Sequence, residues 1–123
     1  MTIGLYIDTS RYMDIINAIS AFSSLSQETR LRAFRLLVEY GTSGCAATIL
    51  SDKLGVPQNT LSFHLSHLSN AGLVHSIREG RSIIYFAQMD RIEELMNFMA
   101  ENCCASSDAD CLTLSRLSNK KLC

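Results

Sequence analysis

Residues 57–72 read PQNTLSFHLSHLSNAG, and the rest of the chain is organised around them. Pro57 suits the first turn of a helix, where its missing N–H has no partner to lose. Leu61, Leu65 and Leu68 recur at helical spacing and form one narrow apolar stripe. At about 100° per residue, the opposite face carries Asn59, Phe63, Ser66 and Asn70, with Gln58, Ser62 and His67 towards its edges. Gly72 ends the helix. A helix with leucines inside and small amide, hydroxyl and imidazole groups outside can enter a major groove and meet base edges there. The competing reading is an ordinary amphipathic surface helix. Phe63 favours the groove, because water gives a phenyl ring no reason to face outward and a thymine methyl does.

Upstream, residues 45–54 form a shorter helical segment through Ala47, Leu50 and Leu54, and Gly55, Val56 and Pro57 then turn the chain sharply. Two short helices across a tight glycine-containing turn make a helix-turn-helix, the second helix being placed to read bases. Before it, residues 29–40 read as a helix with Leu31, Phe34, Leu37 and Val38 inward. Arg30, Arg32 and Arg35 point outward, as a solvated face or as phosphate contacts. Ser26 is the expected cap of that helix, and Gly41 stops it. Ile15, Ile19 and Phe22 give residues 13–22 a helical stripe of their own, and residues 1–10 are a short extension.

Downstream the period changes. Residues 73–78 and 82–87 (SIIYFA) are β-rich runs flanking Glu79, Gly80 and Arg81, and so read as a hairpin. A hairpin after a helix-turn-helix is a wing, whose Arg78 and Arg81 can reach phosphate or an adjacent minor groove. The plainer alternative is a charged turn that keeps the hairpin soluble. A last helix covers residues 90–102, with Asp90 as cap, Glu93 and Glu94 in its first turn, and Ile92, Leu95, Met96 and Met99 as its apolar face. No second domain covers that face or the Ile15, Ile19, Phe22 stripe. The first and last helices are therefore expected to meet their symmetry mates in a two-fold homodimer, with two recognition helices on half-sites about one DNA turn apart. A fully intramolecular core is the alternative. The expected fold is mainly α: a winged helix-turn-helix with a two-stranded hairpin wing over residues 1–104, then a mobile tail over 105–123 that carries Cys111.

A chain of 123 residues with 47% hydrophobic content suits one domain with a small packed core. The net charge of −1 argues weakly against nucleic-acid binding but leaves a local basic surface free to act. No apolar run approaches the ~20 residues that span a bilayer, so no membrane association is expected, and MTIGLYIDTSR has no signal-peptide pattern. An odd count of 5 cysteines does not suit a secreted disulfide framework, so a reducing cytoplasm is expected. Nothing marks an enzyme. His64, His67 and His75 fall in or just after the recognition segment, His64 as a packing residue at the border of the leucine stripe, and no oxyanion loop or substrate pocket accompanies a Cys–His pair.

Cys103, Cys104 and Cys111 are the strongest chemical signal left. Adjacent cysteines on a continuous helix point about 100° apart, so they converge on one atom only where the helix frays. The ASSDAD that follows permits this and lets Cys111 fold back. Three thiolates with no nearby histidine make a soft, sulfur-only site, one ligand short of zinc's usual closed tetrahedron. A trivalent thiophilic ion, arsenic or antimony, takes three sulfurs in a pyramid and neutralises their charge near an apolar face. Other readings stay open. The cysteines can be small buried hydrophobes, which suits Cys103 as a continuation of the Met96 and Met99 stripe. Cys104 and Cys111 can form a disulfide in a thiol redox sensor. A cadmium or lead site can recruit a fourth ligand, and in a plain interaction module the cysteines are incidental. Cys45 reads as a core residue and Cys123 as a free terminal thiol. No organic cofactor is expected.

The order helix, helix, helix-turn-helix, wing, helix, with PQNTLSFHLSHLSNAGLV followed by EGRSIIYF, resembles the ArsR/SmtB family of metal-sensing winged-helix repressors over roughly residues 15–102. The resemblance implies a homodimer that sits on double-stranded operator DNA when empty and lets go when an inducer ion binds. Two of the family's sensor sites are missing. The arsenic sensors with Cys-x-Cys at the start of the helix-turn-helix would place sulfurs near Ala46 and Thr48, and the zinc sensors would need a histidine where Ile92 stands. The Asn102, Cys103, Cys104 end instead resembles a subgroup of arsenical repressors with a C-terminal trivalent site, which carries over to Cys103, Cys104 and Cys111. The expectation is an arsenic(III)-responsive repressor, open also to antimony(III). It would read DNA through Gln58, Asn59, Ser62, Phe63, Ser66 and His67 and grip it through Arg78 and Arg81.

Overall fold

The computed structural model describes residues 13–102. Helix α1 (Ile15–Leu25) starts at Asp14, whose carboxylate accepts from the Asn17 N–H at 2.8 Å and so satisfies one orphan donor. Ser26 does not cap the next helix as expected. It closes α1, its hydroxyl donating to the Ser23 carbonyl at 2.9 Å. Gln27 caps α2 (Glu28–Tyr40) instead, accepting from the Arg30 N–H at 3.0 Å. A tight 3-10 turn, Gly41–Ser43, follows.

Residues 45 and 46 differ from the expected helix: they form a short strand, β1 (Cys45–Ala46), ahead of α3 (Ala47–Leu54). The reason lies at Gly44, where a Cβ would fall 2.5 Å from Phe86 Cε2. This close approach lays the following backbone against the neighbouring strand. Helix α3 closes on Gly55 in the left-handed region, φ 67° and ψ 33°. The Val56 N–H reaches the Ser51 carbonyl at 3.2 Å and the Gly55 N–H the Asp52 carbonyl at 3.3 Å, the paired bonds of a Schellman ending. The Ser51 hydroxyl adds a 2.6 Å bond to the Val56 carbonyl. The turn into α4 (Gln58–Asn70) is thus fixed by hydrogen bonds, and Pro57 precedes the helix, its carbonyl accepting the first intrahelical bond from Leu61 at 2.9 Å.

The hairpin follows as β2 (Val74–Glu79) and β3 (Ser82–Ala87), antiparallel, with Glu79 opposite Ser82 and Val74 opposite Ala87. With β1 pairing Cys45 to Tyr85 and Ala46 to Ile84, the sheet has three strands in the order β1-β3-β2, one more than the expected hairpin. Helix α5 (Met89–Ala100) begins after Gln88, so Asp90 lies in its first turn and is not its cap.

Seven leucines are fully buried: Leu37 of α2, Leu50 of α3, Leu61, Leu65 and Leu68 of α4, Leu73 ahead of β2, and Leu95 of α5. Helix α2 is central, packing on α1, α3, α4 and β3. Its buried positions are Ala33, Phe34 and Leu37, whereas Leu31, expected inside, is 45% exposed. Helix α5 buries Arg91 and Leu95 and leaves Met96 and Met99 outside. Arg91 reaches back to the end of α4, its Nε 3.4 Å from the Ala71 carbonyl, and lies 3.6 Å from Glu94. A cation there completes the C-terminal carbonyls of α4.

Candidate nucleic-acid interface

The leucine stripe fixes how α4 is turned. Because Leu61, Leu65 and Leu68 are each no more than 1% exposed, the 3.6-residue period sends the other side of the helix to solvent. Gln58, Asn59, Ser62, Phe63, Ser66 and His67 are all exposed, as expected, and they share that side. Phe63 is 60% exposed. Its ring meets His67 edge-on at 4.8 Å between centroids and His64 at 5.6 Å. The Ser66 hydroxyl donates to the Phe63 carbonyl at 3.1 Å, and the Asn59 amide oxygen accepts from the Thr60 N–H at 3.0 Å. The face offers amide, hydroxyl and imidazole groups around one phenyl ring, with no carboxylate to repel phosphate.

The wing brings Arg78, on β2, and Arg81, in the turn, to an exposed tip. At its base His75 stacks on Phe86, its partner across the strands, at 4.9 Å and 10° between planes. The three arginines of α2 separate. Arg32 and Arg35 are exposed and, with Lys53 of α3, border a groove of about 450 Å³. Arg32 is engaged with Glu28 at 2.8 Å, an exposed pair worth little. Arg30, expected outside, turns in. Its Nε donates to the Ser24 carbonyl at 2.6 Å and its Nη1 lies 3.2 Å from His64 Nδ1. The position has a signal in the sequence: Arg30 stands three, four and seven residues before Ala33, Phe34 and Leu37, on the buried stripe itself. His64 is the packing histidine expected at the stripe's border. Burial, then the Arg30 charge, then His67 hold its pKa below the ordinary histidine value.

Cys45 is buried, as expected, and burial pushes its thiol up against the opposing effects of the Tyr40 hydrogen bond and the Lys53 charge. Cys103, Cys104 and Cys111 lie outside the described residues, as do Cys123 and residues 1–10. Helix α5 ends at Ala100, two residues earlier than expected, with Glu101 extended and Asn102 at φ 65°. Among the described residues, no three Cys, His, Asp or Glu side chains are grouped to hold a metal ion, and no helix is long and apolar enough to cross a membrane.

Residues 25–77 match the family described as a helix-turn-helix domain. An HTH-type transcriptional regulator of Methanocaldococcus jannaschii is 37% identical over 84 residues, which are 68% of this chain and 92% of that protein. Among solved structures, an ArsR-like transcriptional regulator from Rhodococcus sp. RHA1 superposes with a TM-score of 0.63 at 28% identity, covering 97% of this chain and 94% of that one. A homodimeric winged helix-turn-helix DNA-binding domain from Mycobacterium bovis shares the fold, with a TM-score of 0.57 at 21% identity over 78% of this chain and 89% of that one.

Proposed function

The chain belongs to the ArsR-family winged helix-turn-helix transcriptional regulators, and from that premise we propose that it is a homodimeric repressor released from its operator by trivalent arsenic. One observation carries the DNA-reading half of this proposal: α4 exposes Gln58, Asn59, Ser62, Phe63, Ser66 and His67 together while its leucines anchor it in the core. Amides and hydroxyls at that face hydrogen-bond base edges, and Phe63 takes a thymine methyl. Arg78 and Arg81 supply phosphate contacts, which set register and affinity and carry no sequence information themselves.

The dimer rests on uncovered apolar surface. Ile15, Ile16, Ile19 and Phe22 on α1, and Met96 and Met99 on α5, are exposed on two helices that touch each other. A second copy buries these faces. The homodimeric relative of the same fold supports that choice.

The inducer half rests on the chemistry of the donor set. Cys103, Cys104 and Cys111 are three soft sulfurs without a histidine, which suits arsenic(III), or antimony(III), better than a closed four-coordinate zinc site. Binding just beyond the end of α5 changes the packing of the helix proposed to lie at the subunit contact, and so the relative placement of the two recognition helices. Linkage of this kind is typically worth about 1–3 kcal/mol, or 5–150-fold in affinity.

The test is a mobility shift on a duplex that the full chain has selected from a randomised pool, titrated separately with arsenite, peroxide and cadmium. Arsenite releases the wild-type chain, and the Cys103→Ser, Cys104→Ser double variant stays bound. Release of that double variant by arsenite defeats the site assignment. Release by peroxide alone, or by cadmium alone, replaces the arsenical reading with a redox or divalent-ion sensor. Failure to select any duplex defeats the DNA-reading proposal.

A further inference from the structure

One guanidinium joins three helices. Arg30 belongs to α2, its Nε donates to the Ser24 carbonyl near the end of α1, and its Nη1 lies 3.2 Å from His64 Nδ1 on α4. A guanidinium offers only donors. The contact to His64 is therefore a hydrogen bond only while Nδ1 keeps its lone pair, with the imidazole proton on Nε2. The Ser24 carbonyl, one of the last in α1, has no helical partner of its own and gains one here. On α4 itself, the Phe63 ring meets both His64 and His67 edge-on. The chain of contacts thus starts at the helix with the uncovered isoleucines and ends at the exposed face of α4.

We propose that Arg30 and His64 are positioning residues for DNA binding, a polar pin that holds α4 in its reading posture against α1 and that is withdrawn when the His64 ring takes up a proton. The proposal rests on the reading of α4 as the DNA-contacting helix. Protonation removes the acceptor at Nδ1 and sets an imidazolium against the guanidinium it had been bonded to. Among the described residues, the charges acting on the ring are those of Arg30 from α2 and His67 from α4 itself, while α1 contributes to the pin only the uncharged Ser24 carbonyl that holds Arg30. Neither Arg30 nor His67 favours the added charge. The folded ring titrates below its ordinary value of about 6.5, so the unfolded chain binds the proton more readily. The pin's contribution is complete above that value and is lost as pH falls through the folded pKa.

The sign makes the effect separable from general acid behaviour. Charging exposed imidazoles near DNA strengthens phosphate attraction, whereas withdrawing the pin weakens binding. The full chain and its His64→Gln and Arg30→Gln variants are titrated by fluorescence anisotropy onto the duplex selected by the wild type. Between about pH 7.5 and about pH 5.5, wild-type affinity falls by about tenfold relative to that of His64→Gln, within the range of ordinary site coupling. Arg30→Gln binds more weakly than wild type at the upper pH and shows no such acid loss. Parallel pH profiles for wild type and His64→Gln overturn the proposal. Imidazole nitrogen resonances of the unaltered chain test the pin without any variant or DNA. An unprotonated Nδ1 and a titration below the ordinary histidine range are expected, and a proton on Nδ1 at about pH 7.5 overturns the pin even if no duplex is ever selected.

Discussion

Phe63 and Leu65 stand two positions apart on α4 and obey different forces. Leu65 is 1% exposed within the core, so Leu65→Ala loses its burial and leaves a cavity, costing about 2–5 kcal/mol, visible as a lower midpoint in chemical denaturation. Phe63 is 60% exposed and meets the rings of His64 and His67 edge-on, so Phe63→Ala should cost less than about 1 kcal/mol of stability by the same measurement while weakening binding to a selected duplex. Unchanged duplex affinity in Phe63→Ala would remove the ring from the interface. Cys45 makes a second contrast. Its buried thiol holds its proton to higher pH, so in a chain whose other cysteines are serine, disulfide reagents at mildly alkaline pH should label it at least about tenfold more slowly than after unfolding. Equal rates in the two states would contradict the burial. The leucines of α4 are legible in the sequence because three apolar side chains at helical spacing have one use in water. Arg30 is not, because charge argues for solvent while periodicity argues for the core. A long side chain satisfies both by burying its stem and finding acceptors for its head.

The wing is the element whose boundaries its two β-rich runs define well: β2 (Val74–Glu79) lies one residue later than the expected 73–78, and β3 (Ser82–Ala87) falls where expected. Glu79 opposite Ser82 leaves Gly80 and Arg81 as a two-residue turn, with exposed Arg78 one residue before Glu79. Arg78→Ala and Arg81→Ala should each weaken binding to specific and random duplexes alike and flatten the dependence of log affinity on log salt by about one unit. A loss confined to the selected duplex would assign these arginines to base reading. Strand β1 escapes the sequence, because two residues display no period and its partner strand lies about forty positions on, at Ile84 and Tyr85. The switch from Ser26 to Gln27 as the cap of α2 has a similar origin. Both residues offer an oxygen, and the choice depends on where α1 ends, which its packing on α2 and α4 decides.

For the whole molecule, the uncovered face of α1 is the feature that one chain alone does not explain. Ile16 is 72% exposed and Ile19 61%, and neither belongs to the core. The double change Ile16→Glu, Ile19→Glu should therefore leave the circular dichroism of the fold intact while yielding monomers in sedimentation. Affinity for a two-half-site duplex should fall by about 10²–10⁴, because the second half-site loses its tether. A folded variant that remains dimeric would place the subunit contact elsewhere. The uncovered stripes on the first and last helices are readable from the sequence as unmatched apolar surface. What the proposed second copy brings to them leaves no period in this chain. Strand β1 carries one more consequence at this scale. Two residue pairings weld the entry of α3 to the middle of β3, so α4, tied to α3 by its hydrogen-bonded turn, and the flanking finger travel as a single casting. A signal arriving at α5 has little prospect of bending one against the other. In the proposed dimer it would be expressed as a change in distance or tilt between two intact heads, and such a regulator should discriminate among operators by the gap between their repeats.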